Sequence, residues 1–379
     1  MKFPFYNIFA QIKKINAFHG KSEKPGSVDK WLLLGVFILS LFGILMVYDS
    51  SVAIAIRDFA DQYYYARQQL MWLGLGLVGL SIGSKIPYKI WYNAALPFLL
   101  GTLVLLLAVF IPGIGVRTMG AHRWINLGFT VLQPAEVAKF TIILYLSVWF
   151  SHQEKNRFWS FLLLLAMIEG LILLEPDLGT GVIILLIALS IYFFSNSPIK
   201  HLLTLLPIAA VGVILLALIA PYRAQRLITF FNPELDPLGS SYQIRQVLLS
   251  LGSGGWAGVG IGKSREKYEY LPEANTDSIF AIIGEEVGFV GALGVILAYV
   301  FIIWRGFRIA TRAPDAFGSL FALGLTMWVA VQTIVNLGAM VALLPLTGVP
   351  LPFVSYGGSS LILLLSAMGI LLNISKYRK

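Results

Sequence analysis

The chain has 379 residues, of which 58% are hydrophobic and 12% are charged, and its mean hydropathy is +0.80. Soluble globular domains carry about 25% charged residues, so this composition excludes a soluble protein. A net charge of +9 is compatible with a nucleic-acid-binding protein. The basic residues, however, lie mainly in the tails and in the loops between apolar runs, so we expect no nucleic-acid partner.

Metal and disulfide chemistry are restricted by composition as well. Cysteine is absent, which excludes disulfides, thiolate nucleophiles and cysteine metal sites. The four histidines fall in separate tail or loop segments without ligand spacing. We therefore predict no histidine metal site.

Ten apolar runs predict an all-α membrane protein. A transmembrane helix needs about 20 apolar residues, and the runs are long enough to span. They lie near residues 31–49, 68–84, 90–111, 135–151, 159–174, 180–195, 202–220, 277–304, 316–342 and 355–375. An even number of spans places both termini on one side of the membrane.

Lysine and arginine in the loops set the orientation. Both tails and the loops on their side carry most of the basic residues, whereas the opposite short loops hold only Arg57, Arg67, Arg117 and Arg123. We therefore expect cytoplasmic tails at 1–30 and 376–379, with one membrane domain at 31–375. The first apolar run begins only near Trp31 and lacks a small-residue cleavage site, so we expect no cleavable signal peptide in the N-terminal segment.

The first polar constellation runs from Arg123 to Lys139, at the end of the outer loop Pro112–Gln133. Pro134 suits the first turn of a helix, which puts Glu136 just inside the outer end and Lys139 one turn deeper on the same face. The pair either neutralises itself or binds an anionic amphiphile. Trp124 by itself is more typical of an interfacial anchor.

The second constellation is the turn Glu175-Pro-Asp-Leu-Gly-Thr, which carries two acids. Asp177 and Thr180 have the spacing of a capped helix start.

The outer loop 221–276, between helices seven and eight, is far longer than ordinary connections, which indicates function. The spacing of Ile244, Val247, Leu248 and Leu251 predicts a short amphipathic helix on the outer surface. Six glycines between Gly252 and Gly262 follow.

The glycine run ends in Gly-Ile-Gly-Lys-Ser, which resembles a phosphate loop. That interpretation fails because Ala257 stands where glycine is required and no strand precedes the run. We expect a close-packed, flexible lid with Lys263, Arg265 and Lys267 facing the membrane surface.

Four carboxylates (Glu273, Asp277, Glu285 and Glu286) lie at the start of, or inside, the next apolar helix. Asp277 is either a first-turn acid favoured by the helix dipole or a base at the outer interface, whose pKa partial desolvation raises. Glu285 and Glu286 lie roughly 12–14 Å further along the helix and on other faces. We expect them to have a structural role, paired with buried donors.

The last constellation is the proline-stiffened stretch Leu344-Pro-Leu-Thr-Gly-Val-Pro-Leu-Pro-Phe-Val-Ser-Tyr-Gly-Gly-Ser-Ser. Non-helical backbone at membrane depth is tolerated where it lines a cavity. Ser355 and its polar neighbours either supply hydrogen bonds there or only cap the last helix. All clear charges inside the spans fall in the outer halves, which favours a cavity open to the outer leaflet over a transporter site at the midplane.

Together these stretches resemble the SEDS family (shape, elongation, division and sporulation) of polytopic peptidoglycan glycosyltransferases. The resemblance covers about Trp31 to Lys376. It rests on Arg-Trp-Ile and Gln-Pro-Ala-Glu-Val-Ala-Lys (123–139), Glu-Pro-Asp-Leu-Gly-Thr (175–180), Gly-Ser-Gly-Gly (252–255), Tyr-Leu-Pro-Glu with Thr-Asp (270–277), Gly-Glu-Glu-Val-Gly-Phe (284–289) and Pro-Phe-Val-Ser-Tyr-Gly-Gly-Ser-Ser (352–360). The motifs Gly-Ser-Gly-Gly, Gly-Lys-Ser and Ala-Ile-Ile-Gly-Glu-Glu, in the form they have in this chain, resemble FtsW, the division type, more than RodA, the elongation type.

The resemblance implies that Asp277 is the catalytic residue. The chain departs from the usual His-Thr-Asp-Phe, since Asn275 and Ser278 flank Thr-Asp. Substrate binding is assigned to Glu136, Lys139, Arg123, Trp124, Gln133, Glu273, Lys263 and Ser355.

The implied reaction polymerises lipid II at the outer face of the bacterial cytoplasmic membrane. One base accepts the proton of the attacking hydroxyl, and Arg or Lys, with a divalent cation as an option, stabilises the departing diphosphate. Expected partners are lipid II, the growing glycan strand, a class B penicillin-binding protein and division proteins. The alternatives are a flippase for the lipid-linked precursor and a non-catalytic scaffold.

Overall fold

The computed structural model describes residues 26–118, 121–126, 128, 130–152, 157–195, 197–219, 221–232, 239 and 241–377. Most of the predicted N-terminal tail and the last two residues of the C-terminal tail lie outside this part of the chain. The predicted division into tails and a membrane domain therefore stays a prediction.

The described chain is predominantly helical, as predicted. Its helices are α1 Lys30–Phe59, α2 Tyr64–Lys85, α3 Lys89–Ala108, α4 Pro134–Phe150, α5 Phe158–Leu174, α6 Leu178–Phe194, α7 Ile199–Ile219, α8 Pro221–Phe231, α9 Tyr242–Ser253, α10 Ile279–Thr311, α11 Ala316–Met340 and α12 Gly358–Ser375. Three short strands lie between α3 and α4: β1 Gly115–Thr118, β2 Ala121–Asn126 and β3 Val131–Leu132.

Among the described residues, five helices are long and apolar enough to cross a membrane: α1, α3, α10, α11 and α12. The helices α5 and α6 are apolar but have only 17 residues each. The count of ten spans therefore stays a prediction, although a helix overlaps each of the ten apolar runs.

The two ends of the described chain meet at one end of the helical bundle. The amide N of Gly26 donates to the carbonyl O of Lys376 at 2.8 Å, and the amide N of Asp29 donates to Ser375 Oγ at 3.0 Å. Arg305, near the end of α10, forms a buried ion pair with Asp29. We call this the terminal end of the bundle, and the opposite end, which we predict to be outer, the site end.

The loop before α4 contains structure that the sequence analysis missed. The three strands form one antiparallel sheet in the order β1-β2-β3, with a bulge in β2 at Arg123, which the register with β1 skips. Ser359 Oγ, in the first turn of α12, donates to the carbonyl O of Val131 in β3 at 3.1 Å. The sheet is therefore attached to the last helix as well as to α4.

Close backbone contact joins α2 to α12. A Cβ atom at Gly83 would lie 2.9 Å from the carbonyl O of Ser366, and one at Gly369 would clash with the backbone of Leu80. Small residues allow such approach where lipid supplies no hydrophobic driving force between helices. Helix α11 is buried along most of its length and packs against α4, α6 and α10.

Helix α10 is broken at Gly288, where φ is +68° and ψ is −171°. The glycine-rich segment 254–262 fills the break. Val259 N and Gly260 N donate to the carbonyl O atoms of Glu285 and Glu286, each at 3.0 Å. Phe289 N in turn donates to the carbonyl O of Gly255 at 2.9 Å. The break leaves these backbone groups without helical partners, and the segment supplies new ones.

The long loop contains the predicted amphipathic helix, which is α9, with Ile244 and Val247 buried. Helix α8 at the start of the loop was not predicted. Lys267 was predicted to face the membrane surface, and this was wrong, because its side chain is buried at the site end.

We predict that Gly288→Ala lowers the stability of the protein by about 1–3 kcal/mol, since φ is positive and a Cβ would clash with the backbone of residues 256–258. The matched control is Gly294→Ala in the same helix, where a Cβ meets no atom within 4 Å. Thermal unfolding in detergent checks both variants. An equal midpoint for the two would contradict the packing described here.

Candidate functional site

Asp277 lies two residues before α10 begins, in a turn that follows the long loop. One of the two alternatives for Asp277 placed it in the first helical turn, whereas the structure places Ser278 at the N-cap and Asp277 before it. The residue is 8% exposed. Asp277 is therefore a nearly buried acid at the positive end of a helix dipole.

The backbone around Asp277 is held by the last loop and by α11. Asn336 Nδ2 donates to the carbonyl O atoms of Asp277 and Val349, each at 2.8 Å. Ser355 Oγ donates to the carbonyl O of Thr276 at 2.5 Å, and Tyr356 N donates to that of Asn275 at 2.9 Å. These bonds fix the direction from which the Asp277 side chain leaves the backbone.

Ser355 was predicted to bind substrate. In the structure its hydroxyl donates to Thr276 and accepts from the amide N of Leu351 at 2.8 Å. The serine therefore orders the backbone behind Asp277, and a substrate contact stays a prediction.

Burial raises the pKa of the Asp277 carboxyl to about 6. The negative charge of Glu273 adds to this rise, whereas its own backbone amide, Arg226 and the Thr276 hydroxyl act in the opposite direction. Thr276 Oγ1 lies 3.3 Å from Asp277 Oδ1 and 2.7 Å from Glu273 Oε2. The threonine thus links Glu273, a predicted binding residue, to the catalytic candidate.

A cleft beside this turn contains residues that sequence reasoning missed. It is lined by Arg226, Thr229, Phe230, Gln243, Ile244 and Leu346. Gln243 Nε2 donates to Ser278 Oγ at 3.2 Å, so α9 contacts the residue after Asp277. Arg226 donates to the carbonyl O of Leu346 at 2.9 Å. The available signal was the basic start of the long loop, Pro-Tyr-Arg-Ala-Gln-Arg-Leu.

Glu136 and Lys139 form a buried ion pair with an N–O distance of 2.5 Å. Lys139 Nζ also donates to Gln332 Oε1 at 3.0 Å and lies 5.3 Å from the centre of the Trp328 ring. Gln332 Nε2 donates to the carbonyl O of Pro350 in the last loop at 2.9 Å. In this structure Glu136 and Lys139 therefore neutralise each other, which was one of the two alternatives. Their contact with substrate stays a prediction.

Arg123 and Gln133 join the sheet to the turn before α6. Arg123 donates to the carbonyl O atoms of Glu175 and Pro176 at 2.9 and 2.6 Å, and Gln133 Nε2 donates to Asp177 Oδ2 at 3.0 Å. Asp177 in turn caps α6 by accepting from the amide N of Thr180 at 3.1 Å, which confirms the predicted capped turn.

Trp124, next to Arg123, is half-buried in β2. Glu175 is buried, and neither carboxyl oxygen has a hydrogen-bond partner among the described residues. Burial raises the pKa of this carboxyl to about 8, Asp177 adds to the rise and Arg123 opposes it.

The predicted site residues thus fall into three groups at the site end. Asp277, Glu273 and Ser355 lie together, Glu136 and Lys139 connect to them through Gln332 and the last loop, and Arg123, Trp124 and Gln133 lie at the sheet and the turn before α6. Lys263 is exposed in the segment packed on α10.

Among the described residues, no three His, Asp or Glu side chains are grouped as metal ligands, and the divalent cation stays a prediction.

Fold and site together define a helical, polytopic membrane protein with a buried acid at one end of its bundle. The chain belongs to the FtsW/RodA/SpoVE family, described as cell cycle proteins, whose model it matches over residues 30–379.

Curated relatives and solved structures agree with this assignment. The chain is 38% identical to stage V sporulation protein E of Bacillus subtilis, over 94% of this chain and 100% of that protein. It is 39% identical to a probable peptidoglycan glycosyltransferase FtsW of Coxiella burnetii, over 94% of this chain and 98% of that protein. The fold is similar to that of the rod shape determining protein RodA of Thermus thermophilus, with a TM-score of 0.69, 28% identity and coverage of 93% and 98% of the two chains. It is also similar to a chain of a peptidoglycan synthase complex that coordinates polymerization and crosslinking, with a TM-score of 0.76, 29% identity and coverage of 92% and 97%.

We predict that Lys139→Met destabilises the protein by about 3–5 kcal/mol, because it leaves the Glu136 carboxylate buried without its cation. The double variant Lys139→Met/Glu136→Gln removes both charges and should regain most of that loss. Thermal unfolding of the two variants measures the difference. Arg67→Met, which breaks an exposed ion pair with Asp61, is the control and should cost less than about 1 kcal/mol. If Lys139→Met were as stable as the unaltered protein, the Glu136–Lys139 pair would not stabilise the bundle.

Proposed function

We propose that this protein polymerises lipid II into glycan strands and that Asp277 is the general base. Its membership of the family and the glycosyltransferase names of its relatives support the activity. The observation that carries the assignment of the base is the nearly buried Asp277 carboxyl, whose pKa of about 6 suits a proton acceptor at neutral pH.

The proposed step is a single inverting displacement. The 4-hydroxyl of the acceptor's terminal N-acetylglucosamine attacks C1 of the donor's N-acetylmuramic acid. The new C–O bond forms as the bond to undecaprenyl diphosphate breaks, and the Asp277 carboxylate takes the hydroxyl proton. Because the backbone of residues 275–277 is anchored to α11 and the last loop, the carboxylate is held ready for this transfer.

The departing diphosphate needs positive charge close to it. Of the predicted cations, Lys139 is paired with Glu136 and Arg123 binds two backbone carbonyls, whereas Lys263 is exposed. Arg226 lines the cleft beside Asp277 and lowers the pKa of this carboxyl, so we add it to the candidates. A divalent cation would supply the same charge stabilisation.

We further propose that the protein acts in septal cell-wall synthesis, together with a class B penicillin-binding protein and division proteins. The relatives named FtsW and the similarity to a chain of a peptidoglycan synthase complex support this. In this proposal both termini are cytoplasmic and the site end faces the outside of the bacterial cytoplasmic membrane. The contacts between the two ends of the described chain agree with such an arrangement.

We predict that Asp277→Asn lowers the rate of glycan polymerisation by about 10²–10⁴-fold, the usual contribution of general acid–base catalysis. The assay uses labelled lipid II with the purified full-length chain, alone and with its penicillin-binding protein. The control Asp61→Asn, an acid in the turn between α1 and α2, should retain full activity. Normal polymer from Asp277→Asn would overturn the proposed base, and lipid movement without polymer from the unaltered protein would favour the flippase.

We also predict an acid limit to activity. Because Asp277 must be deprotonated to accept a proton, kcat/KM should fall about tenfold per pH unit below pH 6. Glu273→Gln removes a negative charge that raises the pKa of Asp277, so the acid limb should move to lower pH. Asp58→Asn, an exposed acid on α1, should leave the limb in place. A limb that moves to higher pH in Glu273→Gln would contradict the electrostatics described for the site.

A further inference from the structure

A second buried charge cluster lies at the site end, between α1, α10 and the long loop. Lys267 Nζ donates to Asp49 Oδ1 at 2.7 Å and to Glu286 Oε1 at 3.0 Å. The Lys267 side chain is 4% exposed, and that of Glu286 is fully buried. One cation of the loop thus joins two helices that are far apart in the sequence.

The loop also wraps its backbone around both glutamates of α10. The amide N atoms of Gly262 and Ser264 donate to Glu286, and that of Arg265 donates to Glu285, all at 3.0 Å. The Ser264 hydroxyl donates to Glu285 as well. These bonds confirm the expected pairing of the two glutamates with buried donors.

The segment from Ser264 to Ser278, which we call the strap, runs from this cluster to Asp277. Leu271 and Ala274 are buried, and Leu271 N donates to the carbonyl O of Glu266 at 2.9 Å, so the strap is packed rather than loose. At its far end Asn336 and Ser355 hold the backbone. At its near end the charged side chain that anchors it is Lys267.

We propose that Lys267 is a positioning residue for the transfer reaction: its bonds to Asp49 and Glu286 fix the near end of the strap and so the place of the Asp277 carboxylate. This inference rests on the proposed role of Asp277 as the base. In this role the lysine touches no reacting atom. Asp49 belongs to α1 and Glu286 to α10. Lys267 therefore also fixes the position of the strap, and with it Asp277, relative to these two helices.

The charge of Lys267 is what the buried Glu286 and the half-buried Asp49 require. A neutral side chain at this place leaves Asp49 and Glu286 facing each other without a cation, and the strap then gains freedom to move away. A misplacement of a catalytic group by about 1 Å can cost about 100-fold in rate. A purely structural role predicts lower stability without a specific loss of turnover.

The test compares Lys267→Met and Lys267→Arg in the full-length protein, assayed alone and with its penicillin-binding protein. We expect Lys267→Met to lower kcat by about 100-fold with KM unchanged within about twofold, because the strap no longer presents the base. Lys267→Arg keeps the charge and should recover part of the rate. Arg265→Met removes an exposed cation two residues away in the same loop and should leave both constants unchanged.

A second measurement separates positioning from folding. The triple variant Lys267→Met/Asp49→Asn/Glu286→Gln removes the unpaired charges, so its thermal unfolding midpoint should return toward that of the unaltered protein while kcat stays low. The chain has no cysteine, so spin labels at Tyr268→Cys and Leu343→Cys, both exposed, report the distance from the strap to the loop just after α11. The distance distribution should broaden in Lys267→Met and in the triple variant, and stay narrow in Arg265→Met.

Two results would overturn the inference while leaving the proposed function intact. One is normal kcat in Lys267→Met beside an inactive Asp277→Asn. The other is full kcat and a narrow distance distribution in the triple variant, which would make Lys267 a stabilising residue only. Normal polymerisation by Asp277→Asn would overturn the proposed base itself, whatever the Lys267 variants do.

Discussion

An apolar bundle tolerates a charge only where that charge is paired or hydrogen-bonded, and this constraint organises the site end of the protein. Glu136 and Lys139, both on α4, neutralise each other, and Lys139 also donates to Gln332 of α11. Glu286 is satisfied by Lys267 and by backbone amides of the long loop. Lys139 thus contacts a second helix, and Lys267 joins the long loop to α1 and α10, so meeting the electrostatic requirement also fixes how these helices and the loop lie against each other.

Asp277, like Glu175, departs from this pattern. No cation binds its carboxylate directly among the described residues, and the only side-chain donor described is Thr276 at 3.3 Å. The surrounding structure instead holds the backbone of residues 275–277 through Asn336, Ser355 and Tyr356. The hydrogen bonds to the backbone keep Asp277 in place. Burial, with few hydrogen bonds to the carboxylate, raises its pKa. A general base requires both.

Part of this arrangement could be predicted from residue patterns. The apolar runs anticipated the positions of the main helices, and the spacing of Ile244 and Val247 anticipated α9. The angular offset along one helix separated Glu285 and Glu286 from Asp277. The burial of Lys267 and the contact of Gln243 with Ser278 were missed, because each depends on a partner distant in the sequence. The sheet before α4 was missed as well, although its strands are neighbours in the sequence, because they are only two to six residues long.

The sequence by itself determined that this is a polytopic membrane protein of its family and that Asp277 is the acid to rank first, because hydropathy and local motifs are properties of neighbouring residues. Only the tertiary structure decided which polar groups are already occupied. It shows Arg123 on backbone carbonyls, Lys139 hydrogen-bonded to Gln332 of α11 and Lys267 between two carboxylates. The reason is physical: pairing in a medium of low dielectric depends on distances between helices, which no local pattern in the chain specifies.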